Sequence, residues 1–180
     1  MDYDNSFQLI SYISKKTGVS CVLIGGFAVN YYKVTRQTLD VDFLITKENF
    51  DKILPSLEKA GYRQDYKQEV FARLRNDKAR LLDIDFMFVD IDTLNKIIKE
   101  AKETTIGSQK FIVPTLNHLI ALKLHAIKYN PKIREYKDLP DIINLIIINQ
   151  VNYSDNDFHQ LCLKYGTEEL YQKIMTVLKG

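Results

Sequence analysis

"LIGGFAVNYYKVTRQTLDVDFLI", Leu23 to Ile45, joins an apolar strand-like start to a pair of glycines and ends on two aspartates separated by one valine. Side chains alternate along a strand, so in "LDVDFLIT" Asp40, Asp42 and Leu44 share one face, and Val41, Phe43 and Ile45 the other. One face enters a core and the other carries two carboxylates side by side. Like charges that close repel and raise each other's pKa unless a cation stands near. Arg36, four residues before Asp40, and the lysines of the C-terminal part are available for that role. A divalent cation is the alternative, because Mg²⁺ is commonly held by one or two carboxylates together with substrate phosphates. An isolated Asp-x-Asp pair is ordinarily the wet face of a half-solvated sheet, so the rest of the chain has to decide.

A second acidic strand supports the metal reading. In "RLLDIDFMFVD", Asp83 and Asp85 share one face, and Leu82, Ile84, Phe86 and Phe88 the other. If this strand lies beside the first, a third carboxylate joins the pair; Asp85 is preferred because it sits deeper in the apolar run. Three carboxylates on neighbouring strands suit two-metal phosphoryl transfer, with one ion activating the attacking hydroxyl and the other holding the triphosphate. Gly25 and Gly26 follow an apolar strand and open a helix, where backbone N–H groups can approach phosphate oxygens closely. The turn matches neither G-x-x-x-x-G-K-[ST] nor G-x-G-x-x-G, and a glycine pair is often only a tight turn. Arg36 and Thr38, in the polar loop "KVTRQT", can orient the carboxylates or meet a phosphate.

Working outward, the pattern predicts an amphipathic helix around Phe7 to Ser14 closed by Gly18, a short strand at "SCVLI", and a helix from Lys47 to Ala60 capped by Thr46 or Asn49 and ended by Gly61. Tyr62 to Arg75 reads as one or two strands, Asp92 to Lys102 as a short helix, and "TTIGSQKFIVP" as a hairpin about Gly107. From Thr115 onward the pattern is helical, with Leu116, Leu119, Ile120, Leu124 and Ile127 on a repeating face and a fresh helix start at Pro140. The layout is α+β: a strand-rich core over 1–114 followed by a helical segment over 115–180.

The chain's 180 residues, 46% of them hydrophobic, are enough for one sizeable core. Its 25 basic and 23 acidic residues give no overall field that would announce a polyanion as partner. The two cysteines exclude a disulfide framework and a Cys-rich zinc site, which fits a reducing, cytoplasmic setting. The N-terminal "MDYDNSFQLISYISKK" lacks the pattern of a signal peptide, and "IINLIIIN" falls far short of the roughly 20 apolar residues that span a bilayer, so no membrane partner is expected. In the helical segment, Lys123 stands between Leu122 and Leu124, and "REYKDLPD" carries Arg134, Lys137, Asp138 and Asp141. A lysine in such a run ordinarily snorkels to solvent, though beside a triphosphate it would clamp phosphate. Asp138 and Asp141 lie outside the strand pair and read as partners for Lys or Arg or as helix caps. His118 and His125, seven apart, lack ligand spacing and read as structural.

Taken together, "GGFAVNYYKVTRQTLDVDFLI" resembles the signature G-G-x-A…R-x-T-x-D-[IV]-D of the nucleotidyltransferase superfamily with the DNA polymerase β-type fold. "LIALKLHAIKYNPKIREYKDLPDI" is similar to the K-L-x-A…R-x-x-K-D-x-x-D segment of its AbiEii/MenT-like branch, which includes toxins of toxin–antitoxin systems. The resemblance implies a polymerase β-type core with a mixed sheet flanked by helices. It also implies transfer of a nucleoside monophosphate from an NTP such as ATP to a hydroxyl on tRNA, a protein or an aminoglycoside-like small molecule. Two Mg²⁺ ions, or Mn²⁺, would sit on Asp40, Asp42 and Asp85; Gly25, Gly26, Arg36, Thr38 and Lys123 would bind nucleotide, with Arg134, Lys137 and Asp138 in support. An antitoxin protein would be the partner in the toxin case. The competing expectation is a catalytically silent nucleotide-binding or interaction module of the same fold.

Overall fold

The computed structural model describes residues 3–180, so the first two residues of the N-terminal stretch lie outside it. Helix α1 (Ser6–Thr17) begins where the Asn5 side chain accepts from the Gln8 N–H, and stops at Gly18, whose φ of 68° suits glycine. Strand β1 (Val22–Ile24) runs directly into α2 (Gly25–Tyr31), and β2 (Asp40–Ile45) into α3 (Lys47–Lys59), capped by Thr46. The stretch from Tyr62 to Arg75 resolves into two strands, β3 (Arg63–Gln68) and β4 (Phe71–Arg75), followed by β5 (Asp83–Phe88). Helix α4 (Ile91–Glu100), capped by Asp90, leads to the hairpin β6 (Lys102–Ile106) and β7 (Gln109–Val113). Four helices complete the described residues: α5 (Leu116–Tyr129), α6 (Pro131–Ile148), α7 (Asn156–Tyr165) and α8 (Glu168–Lys179).

Helix α6 departs from the expected restart at Pro140, because it runs through that residue without interruption. Proline removes the bond to the carbonyl four residues back, that of Tyr136, and Tyr136 is 75% exposed, so water can serve in place of the lost donor. Pro55 inside α3 is tolerated similarly, with the exposed Asp51 four residues before it.

The chain forms two compact units, one made of residues 1–28 and 36–115 and the other of 29–35 and 116–180. The first holds a five-stranded sheet in the order β1-β2-β5-β4-β3, with β2 and β5 parallel and every other pair antiparallel. This is the mixed sheet of the polymerase β-type nucleotidyltransferase fold. Phe43 on β2 and Phe86 on β5 stand at the same register and stack at 5.9 Å, and Phe50 of α3 meets Phe86 at 5.2 Å and Phe88 at 5.0 Å. The apolar face of β5 is thus covered by α3, and Phe43 of β2 lies between Phe86 and Phe111 of β7. A polar clamp fixes the start of β5: the Tyr62 hydroxyl donates to the Leu82 carbonyl (2.8 Å), while the Leu82 N–H donates to Ser6 Oγ (2.7 Å). Burial, more than the Ser6 hydrogen bond that opposes it or the nearby Asp83 charge, pushes the Tyr62 phenol up to about 12.

The second unit packs α5 against α6 and α7, and α8 against α6 and α7. Segment 29–35 belongs with these helices, and Asn149 Nδ2 donates to the Tyr32 carbonyl at 3.0 Å.

Phe86 is fully buried and touches aromatic rings on both sides. Phe86→Ala is expected to lower the unfolding free energy by about 3–5 kcal/mol, the range for emptying an aromatic core position, as read by urea denaturation.

Candidate active site

The acidic face of the sheet is built by register. Because β2 and β5 are parallel, Asp40 lies opposite Asp83 and Asp42 opposite Asp85, and the phenylalanines behind them hold that alignment. A slip of one residue would turn the carboxylates into the core. Asp40, Asp42 and Asp85 each bring a carboxylate oxygen within 4.8 Å of the others, and among the described residues they form the cluster spaced to hold a metal ion. Asp85 is 5% exposed and the other two are half-buried. Asp83 instead faces Arg75, whose Nε lies 3.6 Å from it and 3.0 Å from Asp65. The trio therefore contains Asp85 rather than Asp83.

A cation beside these charges is Arg73, a residue without a distinguishing motif in the sequence. It stands opposite Asp85 in the antiparallel β4–β5 register, its Nε donating to Asp85 Oδ1 at 2.7 Å and an Nη to Oδ2 at 2.5 Å. This two-pronged contact is the strong form of a guanidinium–carboxylate pair. The hydrogen bonds to Asp85, followed by the charges of Asp85, Asp40 and Asp83, hold the Arg73 proton more firmly than in an ordinary arginine. Alternation along "FARLR" already placed Arg73 and Arg75 on one face, but only the strand order shows that this face continues that of Asp83 and Asp85.

Gly25 and Gly26 press against the same face. Gly25 has a φ of 62°, and a Cβ there would fall 1.8 Å from Asp42 Oδ2; a Cβ on Gly26 would fall 2.8 Å from Thr38 Cβ. Both positions demand glycine, the first twice over, by conformation and by space. Thr38 Oγ1 donates to Asp40 Oδ1 at 2.7 Å and lies 3.1 Å from the Asp40 carbonyl, which steers one carboxylate of the pair. Arg36 lies half-buried in the loop just before β2.

The second unit gathers the other singled-out residues. Lys123, 5% exposed, neither snorkels to solvent nor stands open: its Nζ donates to Asp138 Oδ1 at 2.8 Å and to Asp141 Oδ2 at 2.6 Å. Arg134 Nε lies 2.7 Å from Asp138 Oδ2, so two cations and two carboxylates close a buried network between α5 and α6. The expected pairing of Asp138 and Asp141 with Lys or Arg is what the structure shows. Lys137 points to solvent. His118 is half-buried and His125 exposed, on α5; desolvation, then the Lys128 charge, holds His125 below the usual histidine range. Both cysteines are free and buried, and burial pushes Cys21 up to about 11. No helix among the described residues is long and apolar enough to cross a membrane.

Comparison with known proteins bears on the family and the fold. A family model described as a nucleotidyl transferase of unknown function (DUF2204) matches residues 5–154. Among functionally curated proteins, none matches the chain by sequence. The fold is similar to the solution structure of the antibiotic-resistance factor ANT(2'')-Ia, with a TM-score of 0.63 and 10% identity over 95% of this chain and 91% of that one. ANT(2'')-Ia in complex with adenylyl-2''-tobramycin gives 0.59 and 12% identity over 94% of each chain. The lincosamide antibiotic adenylyltransferase LnuA, solved with lincomycin bound, gives 0.54 and 18% over 81% of this chain and 99% of that one. At these identities the likeness is one of fold.

The buried ion network has a measurable consequence. Lys123→Met would leave Asp141 without its ammonium and Asp138 with Arg134 alone, at positions whose side chains are 9% and 1% exposed. The unfolding free energy should fall by about 3–5 kcal/mol in urea titrations, the usual cost of breaking a buried ion pair by removing one member. Adding Asp141→Asn to the same chain should recover part of the loss.

Proposed function

Because the chain belongs to the nucleotidyl transferase family DUF2204, we propose that it transfers a nucleoside monophosphate from an NTP to an acceptor hydroxyl at Asp40, Asp42 and Asp85. The observation that carries this reading is the convergence of three carboxylate oxygens within 4.8 Å on two in-register parallel strands, with a glycine turn packed against one of them. The residues fit divalent cations of the Mg²⁺ or Mn²⁺ type: the donors are hard carboxylate oxygens, and they lie within one ion's reach of each other. Asp40, Asp42 and Asp85 would hold them. Bound there, such ions make a hydroxyl easier to deprotonate and offset the charge that gathers on the leaving pyrophosphate.

The chain's own residues then divide the work. Thr38 holds the Asp40 carboxylate by its 2.7 Å hydrogen bond, and the Gly25 turn leaves room for the Asp42 carboxylate where a side chain would otherwise stand. The same two glycines let backbone approach the triphosphate, and Arg36 adds a cation on the loop beside them. Asp85 marks the acceptor end. The acceptor oxygen attacks the α-phosphorus, the bond from that phosphorus to the bridging oxygen breaks, pyrophosphate departs with the electron pair, and the hydroxyl proton passes to an Asp85 carboxylate oxygen. Lys123, Arg134 and Asp138 act as the internal frame of the second unit, since each already has an opposite charge in hydrogen-bonding range.

For the acceptor, the fold relatives supply candidates: ANT(2'')-Ia is seen with an adenylylated tobramycin and LnuA with lincomycin. Small hydroxyl compounds therefore stand beside RNA and protein hydroxyls as the classes to test.

The assay is pyrophosphate release with NTP, Mg²⁺ or Mn²⁺, and aminoglycoside, lincosamide, tRNA or cell-extract protein as acceptor, with α-labelled NTP following the product. Asp85→Asn should lose roughly 10²–10⁴-fold in rate, the range for a removed acid–base group, with folding intact by circular dichroism. Gly25→Ala should lose metal-dependent NTP binding in calorimetry, because its Cβ would occupy the position of the Asp42 carboxylate. A wild-type protein that binds NTP yet labels no acceptor in any class would instead support the silent binding module.

A further inference from the structure

Arg73 takes up both oxygens of Asp85, the most buried member of the carboxylate trio. That geometry has a consequence for the site beyond orientation. A divalent ion near Asp85 meets a fixed guanidinium charge on the same carboxylate, and two cations sharing one anion in a partly desolvated site repel each other. Arg73 sits on β4 opposite Asp85 by strand register, so the sheet ladder holds its backbone and its guanidinium has limited room to retreat. Its side chain is nevertheless 35% exposed, which leaves a path for it to yield without unfolding the strand. Its guanidinium carbon also lies 5.9 Å from the Phe71 ring centroid, a weak alternative anchor.

From this arrangement, and resting on the metal-dependent reading above, we infer that Arg73 is a positioning residue that acts as the resident counter-cation of Asp85 and competes with a divalent ion for that carboxylate. Without metal it neutralises the acid and keeps the trio together. With metal it must share or release an Asp85 oxygen, so the affinity for cations at the trio is set by Arg73 as well as by the carboxylates themselves. Bound nucleotide phosphates, which bring negative charge of their own, would shift that competition toward the metal. The site is thereby biased to load its ions with substrate rather than in its absence.

The test measures Mn²⁺ binding to the intact chain without nucleotide, by the loss of the free-ion electron paramagnetic resonance signal. Wild type is compared with Arg73→Gln, Arg73→Lys, Asp85→Asn and the double variant Arg73→Gln/Asp85→Asn. Removing the competing charge should tighten Mn²⁺ binding on the order of tenfold in Arg73→Gln, a conservative figure for one nearby charge in a half-wet site. Arg73→Lys should stay near wild type, because the charge is kept, and the gain should vanish when Asp85 is also replaced. Thermal melts add a second readout: Arg73→Gln should melt below wild type in chelator, and the gap should narrow as Mn²⁺ is added. A merely structural arginine would give a gap that metal leaves unchanged. Equal or weaker Mn²⁺ binding in folded Arg73→Gln overturns the inference while leaving the transferase reading standing. If Arg73→Gln does not fold, Arg73→Lys decides by a different route: its shorter, single-pronged contact should still yield Mn²⁺ affinity no weaker than wild type, and weaker binding overturns the inference. Failure of wild type to bind Mn²⁺, with or without NTP, overturns the metal-dependent reading and this inference with it.

Discussion

The parallel pairing of β2 with β5 is the contact on which the molecule depends. It aligns two Asp-x-Asp segments so that their carboxylates stand opposite one another, an arrangement that electrostatics alone would push apart. What holds it is on the other side of the same strands. Phe43 and Phe86 stack at the matching register, Phe50 packs on Phe86, and each buried aromatic adds roughly 1.5–3 kcal/mol of apolar burial. Since strand side chains alternate, the aromatic packing and the acidic face cannot be shifted independently. The core sets the register, and the register makes the site.

The two units treat buried charge differently, and the difference bears on what each is for. In the helical unit, Lys123 and Arg134 meet Asp138 and Asp141 in equal number, each within hydrogen-bonding range, and the result is an internal frame with its charge balanced. On the sheet, three carboxylate oxygens lie within 4.8 Å of one another, and Arg73 takes both oxygens of Asp85 in a two-pronged contact. Carboxylate oxygens gathered this closely are the donors with which a hard metal ion and a polyphosphate can bind together.

Much of this was legible in the residues, because strand alternation is a local rule. The faces of "LDVDFLIT" and "RLLDIDFMFVD", the choice of Asp85 over Asp83, and the strand-rich core before the helices follow from period-two patterning and apolar depth. The family model and the fold relatives agree with the resemblance in the first motif. What stayed hidden was relational. Arg73 has an unremarkable sequence context, and its role exists only once β4 is known to lie next to β5 in antiparallel register. Asp138 and Asp141 read as partners for some Lys or Arg, but which one is not a local matter, since Lys123 lies 15 and 18 residues before them on another helix. Pro140 was read as a break because a local rule was applied to a helix whose lost hydrogen bond falls at an exposed position.

The glycine pair and the aspartate pair, set at either end of one stretch of sequence, are one feature in space. Ile24 pairs with Asp42 across the antiparallel β1–β2 ladder, so the residue that follows Ile24 necessarily turns beside that carboxylate. At that turn the backbone takes a φ of 62° and the Asp42 carboxylate fills the volume where a Cβ would be. Gly26 makes the same allowance for Thr38, which in turn holds Asp40. Each glycine is therefore the complement of one acid: Gly25 of Asp42 directly, Gly26 of Asp40 through Thr38. The motif keeps its glycines for the carboxylates it has to admit, whatever phosphate those glycines also approach, and a chain that lost the acids would lose the steric reason for the glycines as well.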